Sequence, residues 1–202
     1  MTDERPEPFF IAGAAGLDFL NSVATPIDVP VEWLASGNDL LRWLEKAALI
    51  PSHAARELRK NALPGELDTV ATQARELREW FRAFVLAHKG KPLAAGAVRE
   101  LEPLNRLLAR DEQYGEVVAN PLRLERRRRW RSPDALLFPI ATALAELLSE
   151  VDFADVKACE GAQCSLLYVD RTRTRGRRWC SMAVCGNRSK QAAHRVKKVR
   201  RR

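Results

Sequence analysis

Cys159-Glu160-Gly161-Ala162-Gln163-Cys164 and, after fifteen residues, Cys180-Ser181-Met182-Ala183-Val184-Cys185 hold every cysteine of the chain. The pattern is C-x4-C twice, separated by a hairpin-length insert. Each pair can sit on one turn and offer two thiolates, and the insert brings the turns together around a tetrahedral zinc ion at about 2.3 Å per sulfur. Within the insert, Leu166–Val169 reads as a strand leaving the first pair and Arg177–Trp179 as a return segment entering the second. Other uses of cysteine fit less well. Disulfides are disfavoured in a cytosolic protein, and thioredoxin-type redox chemistry needs C-x-x-C within a βαβ pattern that this sequence lacks. Buried structural cysteines would not all fall within 27 positions. Cys159, Cys164, Cys180 and Cys185 are therefore expected to hold one structural Zn2+, with no position left open for water and so no catalytic metal.

Basic residues crowd this centre. From Cys159 to Arg202, 13 Lys and Arg face two acids, Glu160 and Asp170, a net +11. The other residues carry 21 basic and 24 acidic side chains, a net −3, so the overall +8 belongs to one end of the chain. A surface built only for solubility intersperses both signs, so the block points to a polyanionic partner. Ser181 to about Val199 is predicted to be a helix, with Cys185, Ser189, Ala192, Val196 and Val199 on one face. Arg188, Lys190, Arg195, Lys197 and Lys198 then fan over the remaining surface. Arg171, Arg173, Arg175 and Arg177 alternate with Thr and Gly, so an extended linker would set them in a second phosphate-facing row. These nine are the expected nucleic-acid contacts. Arg178 is the expected offset to the charge of zinc-bound thiolates. Arg188 is aimed at a base edge or else bonds the zinc thiolates or the helical body, and Asn187 reads a base edge or, as favoured, shapes the turn after Cys185.

Working further out, the period predicts a mainly α chain with a small β-hairpin. A helical N-terminal domain covers residues 1–152, and a zinc-ribbon-like module ending in the basic helix covers 155–202. Leu17–Val23 has the spacing of a short helix, and Asn38 is placed to cap another that turns Leu40, Leu41, Trp43 and Leu44 inward. A third short helix opens at Pro51-Ser52. Glu66–His88 forms a long helix with Leu67, Val70, Ala74, Leu77, Phe81 and Phe84 as its stripe. A second long helix over 94–110 carries Pro103 as a kink, two strands flank Asn120-Pro121, and a last helix from Ser132 should bend at Pro139. Trp33, Trp43 and Trp80 are expected in the core.

No Gly-rich phosphate loop, G-x-S-x-G or H-E-x-x-H occurs, so no catalytic residue is assigned and an enzyme is not expected. No run reaches the roughly 18 apolar residues of a membrane helix, and the N-terminus lacks a signal-peptide pattern, so the expected location is the cytoplasm. Asp18 and Asn21 lie one helical turn apart. They either line a small-ligand pocket or brace neighbouring backbone, and bracing is favoured. Arg75, Arg78 and Arg82 either hold an acidic ligand or form a solvated helix edge paired with Glu76 and Glu79, and the solvated edge is favoured.

Arg178-Trp179-Cys180-Ser181-Met182, then Cys185-Gly186-Asn187-Arg188 and a basic helix, resembles the CGNR zinc-finger family. Leu17-Asp18-Phe19-Leu20-Asn21-Ser22-Val23 and Asp39-Leu40-Leu41-Arg42-Trp43-Leu44 resemble the ABATE domain that usually precedes that finger. Together the two resemblances cover nearly the whole chain and imply a stress-responsive bacterial transcription regulator. The expected function is thus DNA binding through the finger, with a sensing or dimerising helical domain, an unknown small-molecule effector and a homodimer among its partners. The alternative is an RNA- or ribosome-associated zinc protein.

Overall fold

The computed structural model describes residues 5–25, 29–188, 190 and 191. Among these the fold is mainly helical with three antiparallel strand pairs, in line with the predicted class. In chain order the elements are α1 (Ala15–Leu20), β1 (Val23–Ala24), β2 (Val31–Glu32), α2 (Gly37–Lys46), α3 (Ser52–Asn61), α4 (Glu66–His88), α5 (Glu102–Leu108), β3 (Gln113–Val118), β4 (Arg123–Arg128), α6 (Leu137–Glu150), β5 (Val156–Ala158) and β6 (Leu167–Val169). Packing divides the chain into two compact units. One is built from residues 1–33, 78–93 and 146–202, the other from 34–77 and 94–145. The helices α4 and α6 contribute residues to both.

In the 34–77/94–145 unit, α2 starts one residue before Asn38. Its cap is Ser36, whose hydroxyl accepts the Asp39 N–H at 3.2 Å. Gly37 is required there, because a Cβ would lie 2.3 Å from that of Leu67. The expected 94–110 helix is two pieces, a 3-10 turn over Ala95–Leu101 and then α5 with Pro103 in its first turn. The same device accommodates Pro139. A 3-10 turn over Pro133–Leu136 hands over to α6 at Leu137, so Pro139 falls in a first turn, where an N–H has no intrahelical acceptor to lose. Strands β3 and β4 pair from Gln113↔Arg128 to Val118↔Arg123. Their root is held by Arg128, which meets Asp111 at 2.6 and 2.7 Å and Thr142 at 3.1 Å. Val117, Leu122 and Leu124 near the tip are exposed.

In the other unit, Leu17, Phe19 and Leu20 of α1 are buried, and α1 ends before Val23, which pairs with Glu32 instead of extending the helix. Phe81 stacks on Phe84 at 5.5 Å, and Phe84 meets Phe153 edge-on. At Arg78 the expected pairing with Glu79 is present at 2.8 Å, but the expected exposure is not. Arg78 is 3% exposed and grips both oxygens of Glu32 at 2.8 and 2.6 Å, with Ser22 Oγ at 3.1 Å. Its position explains this, since Ala71, Ala74, Arg78, Phe81 and Val85 form one buried row at helical spacing. Arg82 donates to the Leu20 carbonyl, and Arg75, in the other unit, to that of Leu34 at 2.6 Å. Trp33 and Trp43 are buried, whereas Trp80 is half-buried.

The zinc-ribbon strand β6 has a different partner from the one expected. It pairs with β5, upstream of the cysteines, in the register Val156↔Val169 and Ala158↔Leu167, and Arg177–Trp179 forms no strand. The peptide groups of Leu167 and Val169 face away from β5. Asn21 takes both groups of Leu167, donating to its carbonyl at 2.8 Å and accepting its N–H at 2.9 Å. The Val169 N–H donates to the Ala12 carbonyl at 2.7 Å.

Candidate metal centre and basic surface

Local turns aim the four sulfurs at one point. Cys159 follows β5, with its N–H bonded to the Leu166 carbonyl at 2.9 Å, and Cys164 closes the first knuckle through the Gly161 carbonyl at 3.0 Å. Gly161 lets that knuckle approach, since a Cβ there would lie 3.0 Å from Cys185 Sγ and 3.2 Å from Cys164 Cβ. The second knuckle is a π-helical turn, Met182–Gly186, capped by Ser181 Oγ accepting the Val184 N–H at 2.9 Å. Helical residues 187, 188, 190 and 191 follow directly; the rest of the predicted basic helix lies outside the described residues.

All four Sγ atoms lie within 4.8 Å of one another, and Cys164 and Cys180 are 3.9 Å apart. A zinc ion at about 2.3 Å from each sulfur would separate them by about 3.8 Å, so the donor set fits. Close packing of the sulfurs sets three of the thiols apart. Hydrogen bonding from Cys180 draws the Cys164 pKa down to about 5, while burial and the Cys164 charge push Cys185 up to about 12. Cys180 is pushed up as well, first by its bond to Cys164. The Cys164 thiolate thus holds back ionisation of Cys180 and Cys185, which a central cation would favour. Backbone N–H groups already face the cluster, from Cys180 at 3.2 Å and Gly161 at 3.4 Å to Cys159 Sγ. The cysteines can hold one structural zinc ion.

The arginine expected to balance thiolate charge is not Arg178, which pairs with Glu160 at 2.6 Å. Arg188 approaches instead. Its Nε donates to the Val184 carbonyl at 2.7 Å and its Nη2 lies 3.7 Å from Cys185 Sγ.

The linker is a turn, not an extended row. Asp170 organises it from a fully buried position, accepting from Lys157 Nζ at 2.7 Å, Thr172 Oγ1 at 2.6 Å, Thr172 N–H at 3.0 Å and Arg177 N–H at 2.9 Å. Burial alone would raise its pKa, but these donors outweigh it and hold the carboxyl well below the usual range. The arginines scatter as a result. Arg171 donates to the Gly13 carbonyl at 2.9 Å, Arg175 pairs with Asp155 at 2.9 Å, and Arg177 lies over the Tyr168 ring. Arg173 and Lys190 are exposed. Arg195, Lys197 and Lys198 lie outside the described residues. The signal for this turn was in the sequence, as a lone acid among five arginines.

Asp18 and Asn21 both brace backbone. Asp18 Oδ1 accepts the Ala12 N–H at 3.0 Å, and burial raises its pKa to about 6 against the lowering effect of the Ala12 and Ile11 amides. No helix among the described residues is long and apolar enough to cross a membrane.

A helical N-terminal region joined to a four-thiolate module defines a protein of the zinc-finger class. The model of the ABATE family, described as a "putative stress-induced transcription regulator", matches residues 13–151, and that of the CGNR zinc finger matches 156–198. The chain belongs to the ABATE family and carries a CGNR zinc finger. No curated protein matches it.

Proposed function

We propose that this protein is a DNA-binding regulator. Its zinc module docks on the duplex, and its helical N-terminal region supplies the sensing or dimerising part. The observation that carries this reading is the net +11 of residues 159–202, attached to a rigid four-sulfur scaffold that leads straight into a helix. Zinc in this reading is a scaffold and not a reaction centre. Arg173, Lys190 and the tail cations Arg195, Lys197 and Lys198 supply attraction to phosphate, whereas Arg175 and Arg178 are engaged by acids. The protein then acts in the cytoplasm, where duplex DNA is accessible to it.

The test is the affinity of the zinc-loaded chain for duplex DNA across a salt series. Phosphate docking predicts a linear log–log plot with a slope of about −0.9 per phosphate neutralised, flattened by about 2 when Lys197 and Lys198 both become Ala. Salt-independent binding would sink the reading, and tighter binding to RNA of matched length would move it to RNA.

A further inference from the structure

A cavity of about 410 Å³ opens within the unit that holds the cysteines, at the end of α4. Its wall includes Lys89, Lys157, Glu160, Tyr168, Arg177 and Arg178. Small-ligand sites run from about 300 to 1,000 Å³, so the volume suits a compact organic molecule.

The charge of the wall decides which. Lys157 is neutralised by Asp170 at 2.7 Å, and Arg178 by Glu160 at 2.6 Å. Lys89 and Arg177 have no carboxylate partner among the described residues. Arg177 is held ready for a ligand. Its Nε donates to the Trp179 carbonyl at 2.8 Å, and its guanidinium carbon lies 4.3 Å from the centre of the Tyr168 ring. The ring fixes the guanidinium plane, and two terminal nitrogens remain to fork an oxyanion. The backbone beneath is pinned too, because the Arg177 N–H donates to Asp170 and its carbonyl accepts from Tyr168 Oη at 2.7 Å. Lys89 stands just past α4, where the next N–H, that of Gly90, is bonded to the Phe153 carbonyl at 2.8 Å.

Two uncompensated cations on fixed backbone match a dianionic head. A phosphomonoester carries about −1.5 to −2 at neutral pH, whereas a backbone phosphodiester carries about −1. The geometry points to a binding site for a small phosphomonoester, its phosphoryl group held between Lys89 and Arg177. Such a ligand ties the end of α4 to the loop that enters Cys180, so its binding is felt at the zinc centre. This site stands whether or not the module binds DNA.

Calorimetric titration of the zinc-loaded full chain with phenyl phosphate, at constant ionic strength, tests it. One saturable site of about millimolar affinity or better is expected, and Lys89→Gln or Arg177→Gln should weaken it about tenfold with zinc content unchanged. The diester methyl phenyl phosphate should bind about tenfold more weakly than the monoester. Equal affinity of the native chain and Lys89→Gln would overturn the proposal, as would equal affinity for the two esters or no saturation below about 10 mM. Displacement of phenyl phosphate by a free mononucleotide supports a small-ligand site. Displacement only by duplex DNA overturns it, and marks the cavity as a seat for backbone phosphate.

Discussion

The strand pairs β5–β6 and β3–β4 are both antiparallel, yet they are held in opposite ways. The first has three residues per strand, and every residue of β6 is buried. The second has six residues per strand, and most of its side chains are exposed. An isolated two-stranded pair is marginal in water whatever its length. The short pair is fixed by what bounds it: a knuckle at one end, the Asp170 turn at the other, and Asn21 with Ala12 alongside. The long pair is tied at its root by Arg128 with Asp111 and Thr142, and across its strands by Arg127 with Glu116 at 2.7 Å. The two pairs thus differ in anchorage as well as in length.

Removing the metal attacks the anchored pair most severely. Cys180→Ser should abolish stoichiometric zinc, because four-thiolate binding is also folding free energy. Amides of β5, β6 and α1 should then lose protection in hydrogen exchange, while those of β3–β4 keep theirs. Zinc content and exchange on the same sample check this, and protection retained at β6 without zinc would assign its rigidity to Asn21 and Ala12.

Asn21→Ala leaves the N–H and carbonyl of Leu167 without partners inside the protein, at a cost of about 2–4 kcal/mol for two buried groups. The denaturant midpoint reads that loss, with zinc still bound. A change below about 1 kcal/mol would mean that water replaces the amide.

Arg128→Met removes the only cation that pairs with Asp111 among the described residues, and the Asp111 side chain is 4% exposed. Breaking such a pair costs up to about 3 kcal/mol, and Arg128 keeps some solvent contact, so about 1–2 kcal/mol is expected. Faster exchange confined to residues 113–128 is the signature.

A further effect separates the two regions by pH. Asp18, on α1, has its pKa raised to about 6 by burial. The native state therefore keeps that proton longer than the unfolded chain, whose carboxyl titrates near about 3.9, and stability falls as pH rises from about 4 to 6. Asp111 has its pKa lowered by Arg128 and Gln113 in spite of burial, so its contribution is present above about 3.9 and is lost as pH falls through the native value. Thermal midpoints between pH 4 and 6 should slope downward with rising pH, and Asp18→Asn should flatten that slope.

Much of this contrast was readable from residue spacing. The cysteine pairs, α2 to α4 and the β3–β4 ribbon follow from local period and turn chemistry, which carry information over a few residues. What escaped depends on distant partners. A charged residue at a stripe position, Arg78, was read as surface because its carboxylate partner Glu32 lies 46 residues away. Strand β5 is too short for alternation to register, so β6 was given the wrong neighbour. The linker arginines looked extended because alternation was read without the acid around which they fold. Prolines 103 and 139 looked like defects because a change from 3-10 to α leaves no mark in an apolar pattern.

The far side of β6 has one more consequence. A short buried strand with an open edge is a template on which another chain can add itself. Here that edge is closed by a single side-chain amide standing in for a peptide unit, and by one carbonyl from the segment before α1. Asn21 and Ala12 thus occupy the edge that another strand would otherwise extend.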